Sequence, residues 1–407
     1  MKKLSTYIAE QKNTHMPHVE DLVFDGGVKG ARQAINFLRD LRDMLAGNAK
    51  SHFSSTVKWD GAPAIFVGID PRDKKFFVAK KGVFNKEPKV YKTPADIDAD
   101  TSGDLAAKLK VALAEFSKLG IKSGVYQGDL MFTKGDVKTE TIDGQKYSVF
   151  HPNTLAYAVP YASGDAIRNA KIGVVWHTAY AGATFETMRA SFGQNIVSKF
   201  AKIPSVWQMD ATYKDYSGTA TFTDAETAEL TNILSNAGKL FQSIPAATLN
   251  AFMEPEMNAA VNTYNNSKIR AGERITNTKN HVTGLYHFIH DRYQKEIDKL
   301  KTEKAKAGRE EKRKEVLKFF ANHPQEEIIK IFDMVNLLAS AKQMIINKMN
   351  QAGHISTFLR TAKGFKVTGV EGFVAIDHLT GGAVKIVDRL EFSNANFSPE
   401  IIKGWQR

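Results

Sequence analysis

Residues 56–70, "TVKWDGAPAIFVGID", place a lysine, an acidic residue and a glycine directly before an apolar run. The turn "PRDKK" follows at 71–75, and a second apolar run, "FFVAKKGVF", occupies 76–84. Two apolar runs separated by turn-forming Pro, Asp and Lys are typical of a β-hairpin. Lys58 is therefore predicted to lie at the entrance to a strand.

The remaining pattern alternates between strand and helix periods. Apolar spacing near 3.6 predicts helices over about 19–46 and over 102–119, the second ending at Gly120. "GVYQGDLMF", "KYSVF" and "IGVVWHTAY" predict strands, and a capping box of Thr223 and Glu226 begins a helical region that extends to about residue 351. The runs 365–377 and 381–392 return to strand patterns around a turn at 378–382. We predict an α+β fold with antiparallel hairpins.

This organisation divides the chain into three segments. Residues 1–222 and 351–407 are interpreted as the two parts of one β-rich core, and 223–350 as an inserted helical domain that is a candidate nucleic-acid-binding domain. Within the insert, residues 292–320 are strongly charged and rich in Lys and Arg. They are either a solvated helix pair with local ion pairs, broken near Gly308, or an arm that follows a phosphate backbone.

Composition narrows the chemistry. The 407 residues contain no cysteine, which excludes disulfides, zinc-thiolate sites and cysteine nucleophiles. The formal net charge of +12 favours a polyanionic partner such as nucleic acid. No apolar run approaches the roughly 20 residues that cross a bilayer, and no secretory signal is evident, so a cytoplasmic location is expected.

Several short motifs follow one another in a fixed order along the chain. They contain Lys58-x-Asp60-Gly61, Asp129 in "YQGDLMF", Trp176 or His177 in "IGVVWHTAY", Glu371 in "GVEGFVAID", and Lys385 in "GAVKIVDR". In this order they resemble the motifs of the covalent nucleotidyltransferases, which include ATP-dependent DNA and RNA ligases and mRNA capping enzymes. The resemblance covers 57–185 and 365–390. It implies an antiparallel-sheet nucleotidyltransferase core, ATP-grasp-like as in the ligases.

The resemblance also implies roles for these residues. Lys58 would attack the α-phosphate of ATP, and a lowered pKa, produced by desolvation, metal ions and Lys385, would free its amine. Asp60 and Gly61 complete the nucleotide-binding motif, and Lys385 would contact the nucleotide and neutralise its phosphate as charge develops. The acidic residues Asp129 and Glu371 would hold Mg²⁺, and Asp129 is alternatively a ribose contact.

Further contacts to the nucleotide are also implied. Trp176 or His177 would stack on the base, although a buried core tryptophan is an equal alternative. Lys81, with Lys80 beside it, is a candidate substitute phosphate contact. The chain departs from the family pattern at two places: Val387 stands where a second lysine is usual, with Arg389 available to compensate, and no arginine follows shortly after Gly61.

The function expected from this resemblance is an ATP-dependent polynucleotide ligase that forms a lysyl-AMP intermediate. Only 22 residues follow Lys385, fewer than an OB-fold needs, which favours the phage-like RNA ligases and RNA over DNA as the substrate. Two alternatives stay open. One is a nucleotidyltransferase that adenylylates or caps another substrate, and the other is a non-catalytic nucleic-acid-binding protein with a ligase-like core.

Overall fold

The computed structural model describes residues 16–47, 53–212, 221–352, 355–362, 364–377 and 383–405. Over these residues the fold is mixed α+β with mainly antiparallel sheets, which confirms the predicted class. The helices are α1 Leu22–Leu45, α2 Pro94–Asp100, α3 Gly103–Phe116, α4 Asp165–Asn169, α5 Asp224–Ser243, α6 Ala246–Ala251, α7 Pro255–Arg270, α8 Thr278–Asp298, α9 Glu303–Asn322, α10 Gln325–Met349 and α11 Arg389–Phe397.

The strands form three sheets. Their bounds are β1 Phe53–Lys58, β2 Ala64–Ile69, β3 Phe76–Ala79, β4 Val125–Thr133, β5 Lys138–Ile142, β6 Gln145–Phe150, β7 Leu155–Pro160, β8 Ile172–Ala181, β9 Arg189–Phe192, β10 Val206–Asp210, β11 Ser356–Thr361, β12 Gly364–Thr368, β13 Gly372–Asp377 and β14 Ala383–Ile386. A three-stranded sheet has the order β1-β13-β14, a six-stranded sheet has the order β10-β8-β4-β2-β3 with β9 beside β8, and a five-stranded sheet has the order β12-β11-β7-β6-β5.

The three-stranded sheet joins the two β-rich segments of the chain. β1 pairs with β13 in the register Lys58↔Gly372, and β13 pairs with β14 in the register Val374↔Lys385. Opposed residues of antiparallel strands project from the same face of a sheet. Lys58 and Lys385 therefore project from one face, as the predicted hairpin requires.

The helices of residues 224–349 do not form a core of their own. Their apolar faces share one hydrophobic cluster with α1 and with the three-stranded sheet, through side chains such as Leu38 of α1, Leu338 of α10 and Phe373 of β13. Removing this much apolar surface from water stabilises the fold, at roughly 25 cal/mol per Å². The helices therefore support the sheet that carries Lys58.

Most local predictions are confirmed. The β2–β3 hairpin, the strands β4, β6 and β8, and the helix that ends near a left-handed Gly120 all form where the pattern placed them. Thr223 accepts a hydrogen bond from the Glu226 N–H, and the Glu226 carboxylate accepts one from the Thr223 N–H, as a capping box requires.

Some local predictions are wrong. The break near Gly308 is wrong, because α9 continues through it and the chain turns at 299–302 instead. Residues 365–377 are two strands in different sheets, and the predicted strand at 381–392 changes into α11 at Arg389. The second strand of the first hairpin ends at Ala79, where a 3₁₀ turn takes over. The predicted turn at 378–382 lies outside the described residues.

Within the described part of the chain, no helix is both long enough and apolar enough to cross a membrane.

Candidate functional site

Lys58 is the last residue of β1 and lies where the three sheets meet. Beside it, the Val57 N–H donates to the Ala211 carbonyl over 2.7 Å, which ties β1 to the end of β10 in the six-stranded sheet. The side chain of Lys58 is partly exposed, at 27%. The position gives Lys58 a rigid backbone and an open face.

Asp60 fixes the loop that follows Lys58 to the five-stranded sheet. Its buried carboxylate accepts hydrogen bonds of 2.7 Å each from the Asn153 side chain and from the N–H groups of Thr154 and Leu155. The N–H of Asp60 in turn donates to the hydroxyl of Tyr157. Both carboxylate oxygens are occupied, so Asp60 positions Lys58 and has no free oxygen for a nucleotide.

Position 61 must be glycine because the loop after Lys58 lies very close to β4. A Cβ atom at this position would lie 2.5 Å from the Cβ of Asp129 and 3.0 Å from the Leu130 carbonyl oxygen. Any side chain would push the loop away from the strand. The glycine of the Lys-x-Asp-Gly motif therefore sets the distance between the Lys58 loop and Asp129.

Glu371 lies next to Lys58 because of the β1–β13 register. It precedes Gly372, which pairs with Lys58 and has a φ of +148°. A Cβ atom at Gly372 would lie 2.6 Å from the Ile386 carbonyl oxygen, so only glycine allows this close approach to β14. The Glu-Gly pair thus brings a carboxylate to the end of β1.

Glu371 and Lys58 form an ion pair that controls the charge of both. The Lys58 Nζ contacts Glu371 Oε1, while Oε2 is buried and has no hydrogen-bond partner in the described part of the chain. Burial alone would lower the pKa of Lys58, but Glu371, with smaller contributions from Asp129 and Asp60, raises it above its ordinary value. Burial has the opposite effect on a carboxylate, and it raises the pKa of Glu371 to about 7.

The expectation that the pKa of Lys58 is lowered is therefore wrong for the ligand-free protein. The positive charge of Lys385 lies close enough to matter, but the carboxylates outweigh it. The paired Lys58 remains protonated and cannot act as a nucleophile in this arrangement. A change in the charge around Glu371 is needed to release the amine.

Asp129 stands beside this ion pair. Burial raises its pKa to about 7, opposed by Lys58 and reinforced by Glu371. Its Oδ2 lies 3.9 Å from Nε2 of His177. Asp129 and Glu371 are thus two poorly solvated carboxylates whose charges both act on Lys58.

His177, and not Trp176, faces the group of Lys58, Asp129, Glu371 and Lys385, which we call the Lys58 cluster. Gln127 pairs with Thr178 and Gly128 pairs with Trp176, so His177 is the extra residue of a β-bulge in β8. The Trp176 ring is fully buried on the opposite side, against Phe116 and Phe200. The indole has no exposed face for a base, and the alternative of a core tryptophan is the observed one.

Lys385 projects toward Lys58 from β14. Its half-buried ammonium group has no ion-pair partner among the described residues. Burial and the charge of Lys58 lower its pKa. A buried cation without a counterion favours an anionic ligand.

Packing explains one of the two departures from the ligase-like pattern, the valine at position 387. Val387 is buried against Gly372. Arg389 donates to Asp21 over 2.7 Å and to Asn266 over 2.6 Å, which joins α11 to residues of the helical core. Arg389 is thus bound inside the protein and does not replace the missing lysine.

The two hairpin lysines differ in their surroundings. Lys80 forms an ion pair with Asp100 over 2.9 Å, whereas Lys81 is exposed and its charge acts weakly on Asp129. Lys81 is therefore the one available to a phosphate. The structure brings Lys58, Asp129, Glu371 and Lys385 together, with Lys81 at the margin.

One residue of the site has no signal in the sequence. His18 pairs with Lys385 in a parallel bridge, and its imidazole is close enough to Lys58 and Lys385 for their charges to lower its pKa. The two residues are 367 positions apart (385 − 18), and no motif surrounds His18. Only the fold brings them together.

Within the described ranges, no group of three or more His, Cys, Asp or Glu side chains is arranged to hold a metal ion. Two carboxylates remain, Asp129 and Glu371. Mg²⁺ is commonly held by one or two carboxylates together with water and substrate phosphates. The unpartnered Oε2 of Glu371 fits that mode of binding.

Comparison with known proteins identifies a family but no activity. Residues 13–401 match the model of DUF6267, a family of unknown function, and the chain belongs to this family. No curated protein and no solved structure matches it significantly.

Proposed function

We propose that this member of the DUF6267 family is an ATP-dependent nucleotidyltransferase of the polynucleotide ligase type, with RNA favoured over DNA as the substrate. The observation that carries the proposal is the meeting of Lys58, Asp129, Glu371 and Lys385 at one partly open site, from four separate parts of the chain. A lysine beside two carboxylates and a second lysine matches the chemistry of lysyl-AMP formation. The order of the motifs supports the same assignment.

In the proposed reaction, the neutral amine of Lys58 attacks the α-phosphorus of ATP. A P–N bond forms, the bond from the α-phosphorus to the bridging oxygen breaks, and pyrophosphate leaves with the electron pair. Lys58 loses two protons in all. The first, which makes the ammonium group a neutral amine, passes to the carboxylate of Glu371, which contacts it and has a pKa of about 7. The second, which the nitrogen loses as the P–N bond forms, leaves with the pyrophosphate. Lys385 stabilises the negative charge that develops on the phosphate oxygens.

The residues also fit a Mg²⁺ ion. Asp129 and the Oε2 of Glu371 would hold it, and when bound it would supply positive charge to the phosphates. In the second half of the reaction, the AMP group would pass from Lys58 to the 5′-phosphate of a polynucleotide.

The proposal is tested by incubating the protein with α-labelled ATP and Mg²⁺ and locating the label by peptide mapping. We expect a covalent, acid-labile label on Lys58. Lys58→Ala should abolish it without unfolding the protein, since the residue is at a strand end and partly exposed, and Lys58→Arg should also fail because a guanidinium keeps its proton. Lys108→Ala, which removes a half-buried lysine paired with Asp104 and Asp136, is the control and should label normally. A Lys58→Ala protein that labels at the wild-type rate would exclude this mechanism.

A second candidate is a nucleotidyltransferase that adenylylates or caps a different acceptor. The observation in its favour is that Val387 and Arg389 offer no free cation where a second lysine is usual. Transfer of label from the protein to a 5′-phosphorylated oligonucleotide separates the two. We expect transfer to RNA; labelling of Lys58 without transfer to RNA or DNA would favour the second candidate.

A further inference from the structure

The segment before α1 runs alongside β14 and places His18 next to Lys385. The Lys385 N–H donates to the Pro17 carbonyl over 2.9 Å, and the Val19 N–H donates to the Lys385 carbonyl over 3.2 Å. These main-chain bonds fix His18 beside Lys385 independently of its side chain. The imidazole is therefore held in place before any ligand arrives.

The imidazole of His18 has an unsatisfied polar atom. Its Nδ1 is buried and makes no hydrogen bond to any described residue. Buried polar atoms in native proteins are nearly always paired, so an unpaired one at a candidate site needs an explanation. Burial, followed by the charges of Arg389, Lys342, Lys385 and Lys58, lowers the pKa of His18, so the ring is neutral near pH 7 and one nitrogen is an N–H donor.

Most cations around His18 are already compensated. Lys342 binds Glu20 over 2.6 Å, Arg389 binds Asp21, and Lys58 binds Glu371. The second oxygen of Glu20 has no hydrogen-bond partner among the residues that the structure describes, but its carboxylate is already paired with Lys342. Among the described residues around His18, the cation left without a carboxylate is Lys385. An unpaired ammonium next to an unpaired ring nitrogen is a suitable pair of donors for a phosphate group.

We propose that His18 and Lys385 form a phosphate subsite beside Lys58. Nδ1–H of His18 donates to a non-bridging phosphate oxygen, and Lys385 provides the charge. The choice of ligand rests on the proposed function, because the phosphate belongs either to the β,γ part of ATP or to the 5′-end of the polynucleotide. The subsite itself rests on the geometry alone.

The first test measures binding, with inorganic tripolyphosphate as the probe and isothermal titration calorimetry of the full chain. His18→Leu removes the donor, and we expect at least tenfold weaker binding. His18→Asn keeps an amide near the position of Nδ1 and should stay within about threefold of wild type, whereas His18→Gln, which moves the amide outward, should resemble the leucine variant. The Asn and Gln variants decide the matter if the leucine variant does not fold.

A matched control comes from the helical region. His281 is also buried and has a lowered pKa, but its Nε2 is paired with Asn265 over 2.9 Å. His281→Leu should reduce thermal stability without changing tripolyphosphate binding. Equal binding by wild type and a folded His18→Leu protein, or equal losses in the Asn and Gln variants, would overturn the subsite.

The second test identifies the source of the phosphate. If it is the tail of ATP, His18→Leu raises the ATP concentration for half-maximal self-labelling about tenfold and leaves transfer from prelabelled protein unchanged. If it is the 5′-end of a polynucleotide, His18→Leu slows transfer from prelabelled protein and leaves the ATP concentration for half-maximal self-labelling unchanged. Binding of tripolyphosphate that depends on His18, in a protein that never labels Lys58, would keep the subsite and reject the nucleotidyltransferase. If Lys58 is labelled but tripolyphosphate binding does not depend on His18, the nucleotidyltransferase is kept and the subsite is rejected.

Discussion

The Lys58 cluster and the tip of the α8–α9 pair, residues 294–315, are both rich in charge, but they use it differently. The tip has nine basic and six acidic residues, and no described side chain within it is buried. Four of the nine basic residues form ion pairs among the described residues, and these pairs lie within the tip, as between Lys306 and Glu303 and between Lys314 and Glu311. In the Lys58 cluster, the charges come from distant segments and are largely removed from water.

This difference determines what a charge does in each region. Exposed ion pairs contribute about 0–1 kcal/mol and barely perturb the groups that form them. Burial of Glu371 and Asp129 instead raises the pKa of both carboxyls to about 7, within the range where proton transfer occurs at neutral pH. The number of charges in a segment is therefore a poorer indicator of function than their burial.

The largest effect should come from the same substitution made in both regions. Glu371→Ala removes the proposed proton acceptor and Mg²⁺ ligand beside Lys58 and should lower the rate of self-labelling more than tenfold, with partial recovery at higher Mg²⁺ if Oε2 is a ligand. Glu311→Ala removes the exposed partner of Lys314 and should have no effect. The measurement is the initial rate of covalent labelling over a range of Mg²⁺ concentrations. Equal rates for both variants would assign Glu371 to structure alone.

Two glycines should respond to alanine with opposite signs. Gly61→Ala places a Cβ 2.5 Å from the Cβ of Asp129 and should lower both the melting temperature and the labelling rate. Gly308 lies inside α9 with nothing within 4 Å of its added Cβ, so Gly308→Ala should stabilise the protein by about 0.5–1 kcal/mol. Thermal and urea unfolding measure both changes. A stabilising Gly61→Ala would contradict the close contact with β4.

Asp129→Asn should stabilise the protein while weakening its activity. The carboxyl has a folded pKa of about 7 against an ordinary value of 3.8, so the folded state binds the extra proton and wild type loses stability as the pH rises between these values. The amide removes that cost. We expect the free energy of unfolding to rise by about 2 kcal/mol near pH 8, with the gain shrinking toward zero near pH 4. Urea unfolding at several pH values measures it, and a loss of stability near pH 8 would show that the charged Asp129 stabilises the fold through Lys58.

The smallest effect should come from the helical tip. Lys299, Lys301, Lys304 and Lys312 form no ion pair among the described residues, so they are the ones a nucleic acid would contact. Because the acidic residues of the tip lie among them, we expect reversal of all four charges to change the slope of log affinity against log salt by less than about 0.7, the value of one phosphate on a single strand. Oligonucleotide binding at several salt concentrations measures the slope. A change equivalent to two or more phosphates would restore the arm as a nucleic-acid contact.

Local features of the sequence predicted local structure well. The β2–β3 hairpin and the capping box at Thr223 follow from residues within a few positions of one another. The strand pairings that form the site do not follow from nearby residues. The pairing of His18 with Lys385, for example, depends on the whole fold. At Trp176 and His177 the motif gave the right strand, but the bulge shifts the alternation of side chains by one residue. The two-residue alternation of apolar side chains along a strand cannot indicate where such an extra residue lies.

The register of β1 against β13 also has a consequence for synthesis on the ribosome. Glu371 follows Lys58 by 313 residues (371 − 58), so β1 lacks its partner strand β13 until more than 300 further residues have been made. At about 5–20 residues per second this takes roughly 16–60 seconds. During that time the strand that carries Lys58 presents an unpaired edge that other chains can add to. A nascent chain therefore has the lysine long before it has the acidic partner, and the candidate site is complete only once β13 and β14 have been made.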